Sequence, residues 1–340
     1  MPRTKFFIKL THWEYWPFGI VQAPLFPYWL WLSLKARSLL FFSASNPSIV
    51  TGGMMGESKS EVMKLVPDEV KPKTLKIALP ATVEQVKEIL AQNQLSLPVI
   101  FKPDLGERGW LVRRIKTEAE IATYLQEVKI DFIAQELVDL PLEFGVFYVR
   151  FPSETRGTVN SITGKEFLHV TGDGQRTLQQ LILANDRALL QWETLRHVYA
   201  PQLNDVLPAG KKVELVSIGN HCLGTKFINR NHLITPRLID SFDAISKQIP
   251  GFYFGRFDLR CASEADLEAG KVKIVELNGC GAEPAHIYHP GASLWQAVKV
   301  LFRHWANLYR ISIENHQKGV PYLSLREGRK IYKQVKALQN

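Results

Sequence analysis

The chain has 340 residues, of which 46% are hydrophobic and 22% charged, and its formal net charge is +9 at pH 7. This length suffices for a substantial core and two or three subdomains. The positive charge suits phosphorylated ligands, a membrane surface or simple solubility. Because the basic residues are scattered and no nucleic-acid motif occurs, we expect no nucleic-acid partner. The three cysteines, Cys222, Cys261 and Cys280, form no CxxC pair, so we expect no disulfide framework and a reducing, cytoplasmic location.

An uncharged aromatic segment near the N-terminus comes first. Residues 15–34 contain no charged side chain and are flanked by Lys5, Lys9, Lys35 and Arg37. The segment is long enough to span a bilayer, but three prolines interrupt it and its aromatic content suits an interface better than a bilayer core. We therefore predict a helix whose start is bracketed by Pro24 and Pro27 and which runs toward Arg37. It packs against the body of the protein or lies at a membrane surface. Residues 38–42 follow as a predicted strand.

A lysine and a glycine loop form the next distinctive pattern. The apolar run 98–101 predicts a strand that delivers Lys102 to an interior position, and a loop with Gly106 and Gly109 follows. An interior lysine requires an anion, and glycines allow backbone N–H groups to approach phosphate oxygens closely. The pattern is neither a P-loop nor a dinucleotide fingerprint. Taken alone, two loop glycines fit an ordinary hairpin turn equally well.

Several helices are predicted from their caps and spacing. Thr82 precedes one apolar-periodic run, and the pairs Thr117 with Glu120 and Thr177 with Gln180 match the capping box. Residues 294–308 follow helical spacing and read as core. The C-terminal residues 324–340 predict a basic amphipathic helix, docked on the body or at a membrane surface.

Two strands near the C-terminal end carry oxygen ligands. Strand alternation in FYFGRFDLRC puts Arg256, Asp258 and Arg260 on one face. In VKIVELNGCG the same period puts Glu276 and Asn278 together. Adjacent strands of this kind converge on one cation, and these oxygens suit Mg²⁺, with Mn²⁺ as a substitute, rather than Zn²⁺. A surface salt bridge between an arginine and a carboxylate is the open alternative.

The order of these features resembles the ATP-grasp superfamily, in particular its carboxylate–amine ligases such as D-alanine:D-alanine ligase, glutathione synthetase and cyanophycin synthetase. The resemblance covers roughly residues 55–310. It implies an α/β (α+β) fold in which two α+β lobes grip ATP. The implied organisation is an N-terminal apolar segment with a short pre-ATP-grasp region (1–75), a small lobe (76–160), a large lobe with the metal site (161–316) and a basic helix (317–340).

The resemblance also implies a nucleotide site. Lys102 would contact phosphate and adenine and assist catalysis, and Lys59 would be the second nucleotide lysine. Glu143 would hold the ribose hydroxyls. The remaining nucleotide-binding residues are the phosphate lid Gly106, Glu107, Arg108 and Gly109 and the adenine hinge Glu136, Leu137 and Val138.

Metal and substrate groups follow from the same resemblance. Asp258, Glu276 and Asn278 match the metal ligands, and Arg256 matches the arginine that steadies the transferred phosphoryl group. His286 and His289 follow the metal strand, where related ligases line the substrate pocket. The preceding polar loop, from which one residue is expected to contact acceptor or phosphate, contains Asn220, His221, Gly224, Thr225 and Lys226. An ordinary structural loop is the alternative for both segments.

These features predict an ATP-dependent ligase that activates a small-molecule carboxylate as an acyl phosphate and joins it to an amine or similar acceptor. A phosphotransferase on the same scaffold and a membrane-associated ATP-binding protein without turnover remain the alternatives. Residues 278–284, NGCGAEP, differ from the residues that usually follow the metal asparagine in D-alanine:D-alanine ligase. The sequence therefore does not predict D-alanine as the substrate. Peripheral membrane association and a homo-oligomer are both compatible with the sequence.

Overall fold

The computed structural model describes residues 4–107, 109–216, 219, 221 and 224–338. The N-terminal segment consists of three helices: α1 (Lys5–Thr11), α2 (Phe18–Gln22) and α3 (Leu25–Ala36). Pro24 caps the start of α3, and Arg37 ends the helix in the left-handed conformation with φ 53°. The helix predicted from Pro24 toward Arg37 is therefore confirmed.

The strand predicted at residues 38–42 is wrong. A turn leads there into a short 3₁₀ helix, Phe41–Ala44, in which Phe41 and Phe42 are buried. A short apolar run does not distinguish a strand from a buried helical turn. What decides the conformation here is packing, because Phe41 contacts the rings of Trp305 and Tyr309 on a long C-terminal helix.

The small lobe is built around a four-stranded antiparallel sheet. It is preceded by α4 (Lys59–Leu65), whose buried Val62 and Met63 belong to the core of the large lobe. In chain order the elements of the small lobe are β1 (Thr74–Ile77), α5 (Val83–Gln92), β2 (Val99–Pro103), β3 (Arg113–Ile115), α6 (Glu118–Glu127) and β4 (Phe132–Glu136). The sheet order is β1-β4-β2-β3. Apolar residues of α5 and α6 pack on it around the rings of Phe101, Tyr124 and Phe132. As predicted, Thr82 caps α5 and Thr117 forms a capping box with Glu120 at the start of α6. Thr82 also forms a capping box with Gln85.

The large lobe follows in the chain. Its elements are β5 (Leu142–Val149), β6 (Thr158–Glu166), β7 (His169–Thr171), α7 (Leu178–Ala184), α8 (Asp186–Leu190), α9 (Trp192–Val198), β8 (Lys212–Glu214), β9 (Lys226–Asn229), α10 (Pro236–Lys247), β10 (Phe254–Cys261), α11 (Glu264–Glu268), β11 (Lys273–Asn278), α12 (Leu294–Gln317) and α13 (Leu325–Ala337). Five strands form an antiparallel sheet in the order β11-β10-β5-β6-β9, and β7 pairs separately with β8. Thr177 forms the predicted capping box of α7.

The faces of the five-stranded sheet differ in polarity. One face packs on α10 and α4, and Phe257 and Leu259 of β10 belong to that core. On the other face, Phe254 and Phe147 pack against α12 and the 3₁₀ helix at residues 41–44. Beyond these two phenylalanines the same face becomes polar, because strand alternation continues from Phe254 to Arg256, Asp258 and Arg260. The predicted alternation in β10 is confirmed.

The structure is thus a mixed α/β fold with two lobes, as predicted, and each lobe contains an antiparallel sheet. The chain passes from the four-stranded to the five-stranded sheet between Glu136 and Leu142. The domain boundaries at residues 75, 160 and 316 remain predictions, and the second lies within β6. Among the helices described, none combines the length and hydrophobicity needed to span a membrane.

Candidate functional site

The two lobes meet at Lys102. Val99 and Phe101 of β2 point into the core of the small lobe, so alternation directs Lys102 to the opposite side of the sheet. Its Nζ donates hydrogen bonds to Gln135 Oε1 at 2.8 Å and to the main-chain oxygen of Val275, on β11 of the large lobe, at 3.3 Å. Gln135 Nε2 donates to the same Val275 oxygen at 3.2 Å. A lysine and a glutamine of one sheet therefore bridge to the edge strand of the other.

The surroundings of Lys102 leave its charge without a close partner. Both acceptors of its Nζ are neutral, and no carboxylate of the described chain forms an ion pair with it. Burial lowers the pKa of Lys102, with an opposing contribution from Glu276 and a reinforcing one from Lys59. A buried ammonium group without a counter-ion is costly, and an anion bound between the lobes would offset this cost.

Lys59 and the glycine loop lie together. Ser58 caps α4, and Lys59 Nζ donates to the main-chain oxygen of Gly106 at 2.5 Å. Gly106 has φ 140° and Gly109 has φ 76°, values that favour glycine. Glu107 is exposed beside them. Arg108, predicted as part of the phosphate lid, lies outside the described residues.

The predicted metal ligands occupy neighbouring register positions of β10 and β11. Asp258 pairs with Glu276, and Arg256 pairs with Asn278. Arg256 Nε and Nη2 donate to the two oxygens of Asp258 at 2.9 and 3.0 Å, and Asn278 Nδ2 donates to Asp258 Oδ2 at 3.1 Å. Lys165 Nζ lies 3.4 Å from Asp258 Oδ1. Burial alone would raise the pKa of Asp258, but Arg256 and Lys165 lower it to about 2.

This donor set fits a hard divalent cation. No cluster of three or more His, Cys, Asp and Glu side chains with a metal-binding arrangement occurs within the ranges described. The candidate site instead combines the carboxylates of Asp258 and Glu276 with the amide of Asn278, whose oxygen can replace its nitrogen by rotation of the amide. Oxygen donors of this kind suit Mg²⁺. The side chain of Glu276 makes no hydrogen bond or ion pair with any described residue, so its carboxylate is available to a ligand.

Glu143 is held by two cations on the same sheet face. Its Oε1 lies 3.0 Å from Lys165 Nζ, and its Oε2 accepts from Arg260 Nε at 3.0 Å. Arg260 Nη1 also donates to the main-chain oxygen of Val138 at 3.1 Å. Arg260 therefore connects Glu143 to the segment predicted to be the adenine hinge. In that segment Glu136 ends β4 and its carboxylate accepts from the Lys73 main-chain N–H, while Leu137 and Val138 lead toward β5.

Sequence reasoning missed two groups at this site. Lys165 of β6 lies between Glu143 and Asp258, and those carboxylates raise its pKa against the effect of burial. The sequence did contain a signal for Lys165. It shares one face of β6 with the buried polar residues Ser161 and Thr163, so strand alternation places it on a polar interior face. Glu57 has a pKa raised by burial and then by the nearby Glu107 and Glu276 carboxylates. Its Oε2 has no hydrogen-bond partner in the part of the chain described.

The predicted substrate residues gather beside β9. The His221 ring lies 5.4 Å from the ring of Tyr288, and its Nε2 lies 3.6 Å from Glu14 Oε2. His289 Nδ1 accepts from the Asn229 main-chain N–H at 3.3 Å. Burial lowers the pKa of His286 to about 4, so the ring is neutral at pH 7.

The other residues of the predicted substrate loop differ in exposure. Lys226 is half-buried, with its Nζ 3.9 Å from Glu166. Thr225 is fully buried, and its main-chain oxygen accepts from Arg187 Nη1 at 3.5 Å. Gly224 adopts φ 99°. Asn220 lies outside the described residues.

The N-terminal segment also reaches this region, which the sequence did not indicate. Gln22 Nε2 donates to Glu283 Oε1, and Tyr288 Oη donates to Glu283 Oε2 at 2.7 Å. The main-chain oxygen of Glu283 in turn accepts from Arg256 Nη1 at 3.1 Å. Glu14 forms a buried ion pair with Arg187 of α8 at 2.5 Å. The segment thus closes one side of the large lobe next to the predicted metal strands.

Three solved structures illustrate what the chain is similar to. A bifunctional glutathione synthetase from Pasteurella multocida matches 76% of this chain and 38% of its own, at 14% identity and TM-score 0.39. The VanG D-Ala:D-Ser ligase from Enterococcus faecalis matches 77% and 64%, at 15% identity and TM-score 0.43. A D-alanine–D-alanine ligase from Bacillus anthracis matches 83% and 72%, at 12% identity and TM-score 0.43.

The chain thus spans well under half of the glutathione synthetase and just under two thirds of the VanG ligase. No protein-family model matches the chain, and no curated protein does. The similar structures include enzymes of the kinds named by the sequence resemblance.

Proposed function

We propose that the protein is an ATP-dependent ligase of the ATP-grasp type, which activates a small carboxylate as an acyl phosphate and transfers the acyl group to an amine or similar acceptor. The observation that carries the proposal is Lys102. It is half-buried between the two sheets, donates only to Gln135 Oε1 and the Val275 main-chain oxygen among the described residues, and has a lowered pKa. A phosphate group would supply the missing negative charge.

The groups around Lys102 support a nucleotide in this position. Lys59 donates a hydrogen bond to the main-chain oxygen of Gly106 in the glycine loop, so a second cation lies beside the predicted phosphate lid. Lys59 and Glu276 both contribute to the pKa of Lys102, which supports the proposal that the phosphate and metal groups share one region. Adenine would lie at the Glu136–Val138 hinge, and the ribose near Glu143.

Asp258, Glu276 and Asn278 would hold Mg²⁺, or Mn²⁺ in its place. When bound, this ion would neutralise charge on the phosphate oxygens during transfer. Arg256 has its guanidinium fixed by Asp258 and the Glu283 main-chain oxygen, so it needs little reorganisation to stabilise a transferred phosphoryl group. Asp258 stays ionised throughout the physiological pH range, because Arg256 and Lys165 outweigh the effect of burial on its pKa. The acceptor would enter beside His221, His286 and His289, in the region closed by the N-terminal segment.

A product assay tests the reaction class. Purified protein with Mg²⁺ and ATP is screened against pairs of carboxylates and amines, and ADP, free phosphate and conjugate are measured. A ligase releases ADP and phosphate together only when both substrates are present. The Glu276→Gln variant serves as the inactive control, and Glu264→Gln, on the exposed start of α11, serves as the matched neutral change. ADP release with phosphate retained on the substrate would establish a phosphotransferase instead. A protein that binds ATP but gives no product with any pair would be the non-catalytic alternative.

A further inference from the structure

The N-terminal helices expose an unusual share of apolar surface. Half of the large hydrophobic side chains that are exposed in the described chain lie in the short stretch 4–36. In α1, Phe6 is 68% exposed and Leu10 58%, and in α3 Leu34 is 78% exposed. Single exposed apolar residues are ordinary, but a concentration of them marks an interaction site.

The stretch is fixed on the body by its inner side. Val21 and Leu25 pack with Leu301 of α12 in one buried cluster, and Leu32 packs with Phe41 in another. The outer side of α3 carries Phe26, Leu30 and Leu34 at intervals of four residues, which forms one stripe along the helix. α3 is therefore apolar on two sides, and only its inner side packs against the rest of the described chain.

The exposed charges on this stretch, and on Arg37 directly after it, are positive. Residues 1–56 contain a single carboxylate, Glu14, and it is buried in its ion pair with Arg187. Lys9, Lys35 and Arg37 are exposed, and Lys35 Nζ lies 4.4 Å from the centre of the exposed Trp31 ring. An anionic surface attracts such residues. A second copy of the chain would bring two cationic surfaces together, which like-charge repulsion disfavours.

We propose that residues 4–36 dock the protein on the surface of a phospholipid bilayer that contains anionic headgroups. The short helices separated by Pro17 and Pro24 lie in the interface, with apolar side chains among the upper acyl segments and Lys9, Lys35 and Arg37 at headgroup level. Aromatic residues such as Trp31 suit this depth. The proposal does not depend on the ligase reaction, because docking requires neither ATP nor substrate.

Vesicle co-sedimentation tests the docking. The full chain without nucleotide is mixed with vesicles of phosphatidylcholine alone or with phosphatidylglycerol added, at low and high salt. We expect binding to the anionic vesicles that weakens with salt. The double variant Phe6→Ser, Leu34→Ser should lower the partition coefficient at least about tenfold. Val206→Ser removes a side chain that is 51% exposed beside Asp205 and should leave partitioning unchanged.

Two charge-reversal variants test the electrostatic part of the binding. Lys9→Glu should weaken binding to anionic vesicles about fivefold or more, whereas Lys129→Glu, an exposed lysine of the small lobe, should not change it. Equal binding to neutral vesicles, no binding to either kind, or insensitivity to the N-terminal variants would overturn the proposal. Size-exclusion chromatography with light scattering tests the alternative that a second copy of the chain covers this surface. Dimers that form with increasing concentration, that the Phe6→Ser, Leu34→Ser variant abolishes, and that occur without vesicle binding would show an interface between copies.

Discussion

Replacing Lys102 by methionine separates a phosphate-binding lysine from a structural one. Methionine keeps a long unbranched side chain and removes the charge together with the N–H donors. In the protein without nucleotide, the change removes two hydrogen bonds, to Gln135 Oε1 at 2.8 Å and to the Val275 oxygen at 3.3 Å. It also removes a buried ammonium group whose pKa burial lowers, so the loss and the gain offset each other.

The expected magnitudes differ strongly between the two states. Each lost hydrogen bond costs about 1 kcal/mol net, so we expect the free energy of unfolding without ligand to change by less than about 2 kcal/mol. With ATP bound, the lysine would make a charge-assisted hydrogen bond worth about 1.5–3 kcal/mol. Its loss should raise the Kd for MgATP roughly 10- to 150-fold.

The pH dependence of stability gives a second signature. Because the pKa of Lys102 is lowered from its usual 10.5 in the folded protein, the unfolded chain holds more protons in the interval between the two values. The wild-type protein therefore gains stability as the pH rises through that interval, and below it carries the full cost of the buried charge. Lys102→Met should lack this rise, so its stability relative to wild type should be highest at low pH and should fall as the pH increases toward 10.5.

Calorimetric titration with MgATP and urea unfolding without ligand measure the two quantities. The matched control is Lys76→Met on β1 of the same sheet, because Lys76 lies 3.4 Å from Asp104 and 3.2 Å from Asp131 and already has carboxylate partners. We expect this control to change stability and to leave the Kd for MgATP unchanged. A Lys102→Met protein with wild-type ATP affinity, or one that loses as much stability as affinity, would refute the reasoning.

Three further predictions concern the metal strands and the N-terminal helices. Glu276→Gln should abolish turnover and the thermal shift produced by Mg²⁺ while the circular dichroism spectrum stays unchanged; wild-type turnover would remove Glu276 from the metal site. Asp258, with a pKa of about 2 in place of 3.8, contributes stability that is lost as the pH falls between these values. Asp258→Asn should lack this contribution, and an acid-unfolding curve of unchanged shape would contradict the ion pair with Arg256. Carbonate extraction should release the protein from membrane fractions, and retention until detergent is added would indicate a spanning segment instead.

Local patterns in the sequence were sufficient for much of this architecture. The alternation of Arg256, Asp258 and Arg260 against Phe257 and Leu259 predicted which face of β10 is polar, because the period of a strand is fixed by its backbone. A capping threonine located the start of α5, and capping boxes located the starts of α6 and α7, because these signals involve residues only three positions apart. The strand that ends in Lys102 and the following glycine loop predicted an interior lysine, and Lys102 lies between the two lobes.

Contacts between distant parts of the chain could not be predicted from the sequence. Gln135 and Val275 are joined by a hydrogen bond across 140 positions, and Lys165 reaches Glu143 from another strand. Neither contact leaves a local periodicity. The error at residues 38–42 has the same origin, because Phe41 is buried by Trp305 and Tyr309 of α12 and adopts a helical turn there.

The N-terminal segment offers a last prediction, because it holds Arg256 through Glu283. Gln22 and Tyr288 donate to the two carboxylate oxygens of Glu283, and its main-chain oxygen accepts from Arg256. If Arg256 acts in phosphoryl transfer, Gln22→Ala should lower kcat about fivefold while leaving the Kd for MgATP unchanged, since one hydrogen bond is worth about 1 kcal/mol.

Tyr288→Phe removes the other hydrogen bond to the same carboxylate and should act in the same direction. Because both act through Glu283, the double variant should lose less than the sum of the two single effects. Steady-state kinetics and calorimetric titration of the four proteins measure this. Strictly additive effects would mean that Gln22 and Tyr288 influence the reaction separately. A raised Kd for MgATP in Gln22→Ala would mean that the N-terminal segment supports the nucleotide site as a whole rather than the position of Arg256.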